Sequence, residues 1–271
     1  MASLLALSRA EADEAKRLWL ASIVAHGSTL LLGAGALFAG EPATYVLAVL
    51  ALVAEIVAWW SQHEASERHV LAEEGRRRAS LIENLGSDPE SLDRVGITSR
   101  YSRRACSKAV ERQDSHYWQT ELSPGPERLR EALTESAFWS CALYRVAARR
   151  WALVVIALVL LLALAVFALS SISLDGASAV TSRVGVVFLT VLITSDALST
   201  ALAWRSASAM SDRVLRRLDA ADASDLGTMA AIFADYATAT ASCPPIPNGI
   251  YNAEHDRLDQ AWASRAKRQA E

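Results

Sequence analysis

The hydrophobic residues of this chain fall into four long blocks that are separated by charged stretches. A membrane-spanning helix needs about 20 apolar residues, and none of the blocks shows the two-residue alternation of a barrel strand. Lipid offers a spanning backbone few alternatives to the α-helix. The pattern therefore predicts four transmembrane helices, at residues 18–39, 43–60, 151–172 and 184–204.

The basic residues lie almost entirely on one side of these predicted spans. Of the 27 lysines and arginines, only Arg183 falls in one of the two short connections, at 40–42 and 173–183. Because basic residues favour cytoplasmic loops, both termini and the long central block are predicted to be cytoplasmic. The predicted order is a cytoplasmic segment at 1–17, a transmembrane hairpin at 18–60, a cytoplasmic domain at 61–150, a second hairpin at 151–204 and a cytoplasmic tail at 205–271.

Tryptophan supports the same orientation. Five of the eight tryptophans lie at the predicted cytoplasmic ends of the spans, and indole rings favour the headgroup level of a bilayer. The pattern is typical of an aromatic belt, and placement in a protein core is the alternative. The five residues are Trp19, Trp59, Trp60, Trp151 and Trp204.

The cytoplasmic blocks are rich in helix-forming residues and poor in β-branched runs. The second span is predicted to continue as a helix to Leu85, with Gly86 as its C-terminal cap. After a break at 123–126, a helix from Glu127 is predicted to run straight into the third span. The expected fold is an all-α membrane protein whose two transmembrane hairpins flank a helical cytoplasmic domain and precede a helical C-terminal tail.

The tail has its own predicted elements. The fourth span is predicted to continue to Leu218, and two more helices are predicted at 225–241 and 251–267. The sequence Cys-Pro-Pro-Ile-Pro-Asn-Gly at 243–249 breaks the pattern between them, because proline and glycine interrupt helices.

The composition and the absence of known motifs then disfavour several classes of function. The chain is 52% hydrophobic and 21% charged with a net charge of −3, and this slightly acidic balance disfavours a protein that binds DNA or RNA. The three cysteines lie in predicted cytoplasmic segments, where thiols stay reduced. The sequence contains no phosphate-binding P-loop, nucleophile elbow or zinc spacing, so we expect neither an enzyme nor a bound metal or cofactor.

Three ionisable residues interrupt the apolar blocks. His26 and Asp196 lie about 12 Å, and Glu55 about 8 Å, inside the cytoplasmic ends of their spans. An ionisable side chain near mid-bilayer costs about 3 kcal/mol, so it usually faces a bundle interior or water. His26, Glu55 and Asp196 are therefore candidates for lining or gating an ion path. The alternative is that they pair with one another and hold the helices together.

The central cytoplasmic block contains arginine clusters at 76–78 and 100–104. Either cluster could bind a phosphate-bearing ligand, but the first is more readily explained by contact with acidic lipid headgroups or solvent. The second is a candidate phosphate- or nucleotide-binding site, because guanidinium groups bind phosphate through paired hydrogen bonds. Its candidate ligand-contacting residues are Arg100, Tyr101, Arg103 and Arg104. Nearby, His116-Tyr117-Trp118 is either a stacking platform or a packing corner between helices.

Two segments carry a family likeness. One is Gly-Pro-Glu-Arg-Leu-Arg-Glu-Ala-Leu-Thr-Glu-Ser-Ala-Phe-Trp at 125–139, which leads into the third span. The other is Cys-Pro-Pro-Ile-Pro-Asn-Gly-Ile-Tyr at 243–251, followed by Arg-Leu-Asp-Gln-Ala-Trp at 257–262. Together with the order of hairpins, central block and tail, they resemble the bacterial four-transmembrane pore-forming effectors that associate with SMODS-type nucleotide cyclases.

The resemblance implies a role in antiviral defence by abortive infection. A cyclase of the same system would make a cyclic oligonucleotide, and the effector would respond, as a homo-oligomer, by damaging the bacterial inner membrane. The expected partners are the lipid bilayer, further copies of the chain, and a cyclic oligonucleotide or a component of the cyclase system. The alternative functions are a non-conducting membrane scaffold or sensor that recruits a cytoplasmic partner and, less favoured, a small transporter.

Overall fold

The computed structural model describes residues 3–40, 42–86, 94–111, 117–171 and 177–270. Within these ranges every regular element is helical, as the sequence predicts. The α-helices are α1 (Leu4–Phe38), α2 (Ala43–Ser80), α3 (Arg94–Arg100), α4 (Arg103–Glu111), α5 (Pro126–Ser171), α6 (Ala177–Ala220), α7 (Leu226–Ala241) and α8 (Asn248–Ala270). A π-helical turn, Leu81–Leu85, extends α2.

Four of these helices, α1, α2, α5 and α6, are long and apolar enough to cross a membrane. Large side chains stand exposed along them, including Leu31 at 77%, Phe167 at 70% and Leu160 at 65%. A soluble protein rarely exposes continuous apolar surface of this extent, whereas lipid stabilises it. The predicted four apolar helices are thus confirmed, and the chain has the character of a multi-pass membrane protein.

Several predicted helix ends are also confirmed. Gly86 follows the π-helical turn with a φ of 70°, a left-handed conformation in which glycine avoids the strain that a Cβ atom would cause. Helix α5 begins at Pro126, a residue suited to the first helical turn. Asp225 caps α7 by accepting a hydrogen bond from the backbone N–H of Thr228.

The described chain divides into two compact units. The first, here called the helical unit, comprises Met1–Lys16, Ala65–Ala147 and Ala203–Glu271. The second, here called the apolar unit, comprises Arg17–Glu64 and Ala148–Leu202. Helices α1, α2, α5 and α6 contribute residues to both units, whereas α3, α4, α7 and α8 belong to the helical unit alone.

The main hydrophobic core of the helical unit forms where α5, α6 and α7 meet. Leu133 of α5, Val214 and Leu218 of α6, and Met229 and Ile232 of α7 are almost completely buried there. A second cluster uses Ala6 and Ala10 of α1 against the alanines of α4, and these small side chains let the two helices approach closely. The short helices are therefore held by packing rather than by their own length.

The apolar unit packs through small residues. Ala51 and Ala58 of α2 and Ala197 of α6 are buried, as is usual where helices approach closely in lipid. Thr29 of α1 donates a hydrogen bond to the carbonyl of Ala25 at 3.1 Å, and its hydroxyl lies 3.4 Å from the carbonyl of Ala51. Its polar group is thus satisfied inside the protein.

The tryptophans divide into two groups. Trp59 and Trp60 are each 64% exposed, as a headgroup location requires, while Trp19 is buried beside Trp151 with 5.4 Å between ring centroids. Trp204 is fully buried, and its Nε1–H donates to the carbonyl of Pro244 at 2.9 Å. Its indole N–H is therefore satisfied by protein, which differs from the wet N–H that an aromatic belt would give it.

The proline-rich turn at 243–249 makes contacts to two other parts of the helical unit. Besides accepting from Trp204 through Pro244, it accepts from Lys16 Nζ through the side chain of Asn248 at 2.9 Å. Cys243 is buried at its start, where its thiol donates to the carbonyl of Thr240. The turn thus joins α7 and α8 and also holds residues of α1 and α6.

Replacing Gly75 with alanine tests the closest packing in the helical unit. A Cβ atom at Gly75 would collide with the hydroxyl groups of Tyr101 and Ser8, and overpacking of this kind costs about 1–3 kcal/mol. We expect the unfolding temperature of Gly75→Ala, followed by circular dichroism in detergent, to fall by several degrees. Gly249→Ala is the control, because nothing lies within 4 Å of a Cβ there. Equal melting of both variants would contradict the packing described.

Candidate functional site

Three helices of the apolar unit bring together the ionisable residues that the sequence singles out. His26 Nδ1 of α1 lies 3.1 Å from Glu55 Oε2 of α2. The Nε2 atom of the same ring lies 3.9 Å from Asp196 Oδ2 of α6. Gln62 of α2 completes the group by donating from Nε2 to Asp196 Oδ1 at 2.7 Å. We call these four residues the polar cluster.

The polar cluster is partly shielded. The side chains of His26 and Glu55 are 14% and 17% exposed, and that of Asp196 is 36% exposed. An ionised carboxylate only accepts hydrogen bonds, so His26 donates from Nδ1 when Glu55 is charged. His26 Nε2 is buried and has no hydrogen-bond partner within the described residues. The imidazole therefore lies between two carboxylates, within hydrogen-bond distance of Glu55 and 3.9 Å from Asp196.

The hydroxyl groups near the cluster are occupied by backbone. Thr194 donates to the carbonyl of Thr190 at 2.7 Å, and Ser199 donates to the carbonyl of Asp196 at 3.0 Å. Such bonds to a preceding turn satisfy a hydroxyl within its own helix. The ionisable residues and Gln62 therefore provide the chemistry that distinguishes this region from the surrounding apolar surface.

The arginine cluster at 100–104 is engaged by carboxylates of α1 and α2. Arg100 Nη1 lies 3.3 Å from Glu74, and Arg104 Nε lies 3.1 Å from Glu14. Arg103 is exposed. These contacts pack the segment against neighbouring helices, and the role of these residues in phosphate binding stays a prediction.

Tyr101 is also part of this packing. It is 6% exposed, its hydroxyl lies 3.1 Å from Ser8 Oγ, and burial raises the pKa of the phenol. A buried neutral phenol between two helices is suited to holding them together.

Glu11 is a buried carboxylate that sequence reasoning did not single out. It is completely buried in α1, and one of its oxygens accepts from Arg68 at 2.7 Å. The other accepts from both the backbone N–H and the hydroxyl of Ser102, at 2.9 and 3.0 Å. This set of charge-assisted bonds fixes α1 against α2 and the start of α4.

The helical unit contains a cavity of about 750 Å³. Four helices form its wall, each with residues spaced three, four or seven apart, the spacing of one helical face. The wall comprises Ser8, Arg9, Ala12, Asp13 and Lys16 of α1; His69, Ala72, Glu73 and Arg76 of α2; Glu135, Ser136, Trp139, Ser140, Leu143 and Tyr144 of α5; Asn248, Tyr251, Asn252, His255 and Asp259 of α8; and Tyr117, Trp118, Gln119, Pro245 and Ile246 of the connecting segments.

One part of this wall is a buried charged network. Burial is the largest influence on Glu73 and opposes its ionisation, but Arg76, His69 and a hydrogen bond with Thr240 together outweigh burial and hold the pKa of Glu73 below its ordinary value. Burial holds the pKa of His69 below its ordinary value. His69 is thus neutral near pH 7, and its Nε2 lies 3.1 Å from the carbonyl of Thr240, to which it donates. Its Nδ1 is then a buried acceptor, with no partner in the described part of the chain.

Another part of the wall is aromatic. The rings of Trp139 and Tyr251 are stacked at 29° with centroids 6.1 Å apart. His255 packs against both rings, and Arg9 lies over the ring of Tyr117 at 5.3 Å. Of the segment His116-Tyr117-Trp118, His116 lies outside the described residues, Tyr117 and Trp118 line the cavity, and Trp118 is 6% exposed.

The sequence does contain a signal for this cavity. The α2 residues 69, 73 and 76 and the α8 residues 248, 252, 255 and 259 are polar at helical spacing, on helices that also carry a buried apolar face. One polar stripe is ordinary on a solvent-exposed helix. Only the structure places these stripes face to face.

No protein-family model, curated protein or solved structure matches this chain.

The cysteines provide a test of the packing around this cavity. Burial raises the pKa of Cys243 to about 12 and also raises that of Cys141, so both thiols stay protonated at pH 8 and react slowly, because the thiolate is the nucleophile. Cys106 is only partly buried. We expect iodoacetamide to label Cys106 first, as measured by mass spectrometry of the folded protein over time. Labelling of all three at one rate in the folded protein, as expected only after denaturation, would contradict this packing.

Proposed function

We propose that this chain is a membrane effector that opens a conducting path in a bacterial inner membrane. The polar cluster carries the proposal, because three ionisable residues converge within the apolar segments of three helices. Leaving such groups near mid-bilayer is costly, and they usually mark ion paths, proton relays or contacts between helices. Rearrangement of the cluster would expose Glu55 and Asp196 to water and allow cations to enter.

In the proposed topology, α1 pairs with α2 and α5 pairs with α6 as two transmembrane hairpins with both termini in the cytoplasm. The one-sided distribution of lysine and arginine supports this orientation. The contacts between α1 and α2, in which 26 meets 55 and 29 meets 51, support an antiparallel first pair. Residues 172–176, between α5 and α6, lie outside the described residues.

The proposed trigger is a cyclic oligonucleotide made by a cyclase of an antiviral defence system, as the family resemblance implies. Binding would displace α2 and α6, which contribute to both units, and thereby separate Gln62 from Asp196. To shift the open fraction from 1% to 99%, the ligand must favour the open state by about 5.5 kcal/mol. We propose that several copies assemble, because additional helices are needed to surround an aqueous path.

A second candidate function is a non-conducting scaffold or sensor that recruits a cytoplasmic partner. The observation in its favour is that Glu55 and Asp196 already have partners within the chain, His26 and Gln62. A cluster that is satisfied in this way can serve simply to hold helices together.

Accessibility of introduced cysteines tests the proposed topology. In a Cys106→Ala background, we expect Gly40→Cys to react with a membrane-impermeant maleimide added to intact cells, because the connection at 40–42 would face outward. Gly249→Cys would react only after lysis, because the turn at 243–249 would be cytoplasmic. The readout is a mass shift on a gel, and labelling of Gly249→Cys in intact cells would contradict the orientation.

Replacing Asp196 with asparagine tests the conducting path. We expect cells that express the wild type to depolarise when cyclic di- or trinucleotides are supplied, as measured with a membrane-potential dye. Loss of the Asp196 charge should slow depolarisation about tenfold, which corresponds to a barrier about 1.4 kcal/mol higher. Asp212→Asn is the matched control, because it removes a carboxylate from the same helix outside the apolar segment.

Two outcomes would contradict the proposal. If cells that express Asp196→Asn depolarise as fast as cells with equal expression of the wild type, the carboxylate does not line the path. A stable potential in cells with the wild type at high expression, whichever cyclic nucleotide is supplied, would favour the scaffold.

A further inference from the structure

The cavity of the helical unit has the size and position of a ligand site. Its volume of about 750 Å³ falls within the range of small-molecule sites, about 300–1,000 Å³. Helical bundles build such sites from side chains that project inward from facing helices. The conducting path proposed above makes no use of this space.

The aromatic part of the wall is suited to a flat heterocycle. The rings of Trp139 and Tyr251 are inclined to each other by 29°, and Tyr251 is 40% exposed. Nucleobases stack on such rings, while amide and carboxylate side chains bind their edges. Here Asn252 of α8 and Asp259, about two turns further along the same face, supply an amide and a carboxylate to the wall.

The wall contains charged groups of both signs. Arg9 and Lys16 lie on one face of α1, about 10 Å apart along the helix axis, with Asp13 between them and 3.7 Å from Lys16 Nζ. Glu135 and Asp259, on α5 and α8, are both bound to Gln119, through its backbone N–H and its side-chain amide respectively. A guest with an anionic group beside Arg9 and Lys16 and with N–H donors toward Glu135 and Asp259 would have partners on both sides.

The wall also contains unsatisfied polar atoms. His69 Nδ1 and Arg76 Nε are buried without a hydrogen-bond partner in the described chain. Nearly all buried polar groups in proteins are paired with protein, water or ligand. One is an acceptor and the other a donor, so two residues of the wall have unused hydrogen-bonding capacity that a polar guest could satisfy.

We propose that this cavity binds a nucleotide, with its base on the face formed by Trp139 and Tyr251 and its phosphate beside Arg9 and Lys16. The site deepens the proposed function and rests on it for its biological role as the receiver of the signal. A nucleotide in the cavity would lie beside the proline-rich turn, because Pro245 and Ile246 line the cavity.

Titration calorimetry of the full chain in phosphatidylcholine nanodiscs tests the proposal. The probes are the four ribonucleoside 5′-monophosphates, their nucleosides and inorganic phosphate. We expect at least one monophosphate to bind saturably at one site per chain, and at least about tenfold more tightly than its nucleoside or phosphate alone. Tyr251→Ala and Lys16→Ala should each weaken binding about tenfold, because they remove stacking and a phosphate-facing cation.

Two matched variants control for indirect effects. Tyr251→Phe keeps the stacking ring, and Arg257→Ala removes a cation from α8 that is paired with Glu254 and lies outside the cavity wall. Both should bind like the wild type. The proposal is overturned if no monophosphate binds, if phosphate alone binds as tightly, or if Tyr251→Ala and Lys16→Ala bind like the wild type.

The two proposals fail in different ways. Nucleotide binding at this cavity without any depolarisation would contradict the conducting path and leave the site in place. Depolarisation triggered by a cyclic nucleotide in Tyr251→Ala and Lys16→Ala, at wild-type ligand concentrations, would contradict the site and leave the conducting path in place.

Discussion

Inward-facing carboxylates are neutralised by partners from other helices, and the packing of the helical unit depends on these pairs. Glu11 is held by Arg68 and Ser102, and Glu14 lies within 3.1 Å of Arg104 and 2.8 Å of Lys108. Removing one partner of a buried pair leaves an uncompensated charge, at a cost of about 3–5 kcal/mol. The relative positions of α1, α2 and α4 are therefore set by charge pairing as well as by the alanine contacts between them.

The helices were largely predictable because their signals are local. Blocks of apolar residues, Gly86 at a helix end and Pro126 at a helix start each act within a few residues, and none requires knowledge of a distant partner. The π-helical turn at Leu81–Leu85 was not predictable in this way. Nothing in that short sequence distinguishes it from the α-helix that it extends.

The candidate site residues show the same difference between local signals, which the sequence reveals, and contacts with distant residues, which it does not. His26, Glu55 and Asp196 stand out because lipid makes any ionisable residue anomalous, so sequence alone selects them. Arg100 and Arg104 look like an open basic patch in the sequence, yet they lie beside Glu74 and Glu14, which are 26 and 90 positions away. The cavity wall is assembled from residues as distant as Ser8 and Asp259, and their proximity is a property of the fold.

The proline-rich turn has a mechanical consequence. Proline fixes its φ angle, so a segment with three prolines in four positions resists bending more than an ordinary loop does. This stiff segment borders the cavity, and it accepts hydrogen bonds from the indole N–H of Trp204 and from the ammonium group of Lys16. Trp204 and Lys16 each lie next to an apolar stretch of the chain. A stiff segment deforms less than a flexible loop when one of its ends moves. A small shift of α8 would therefore also displace the residues of α1 and α6 that the turn contacts.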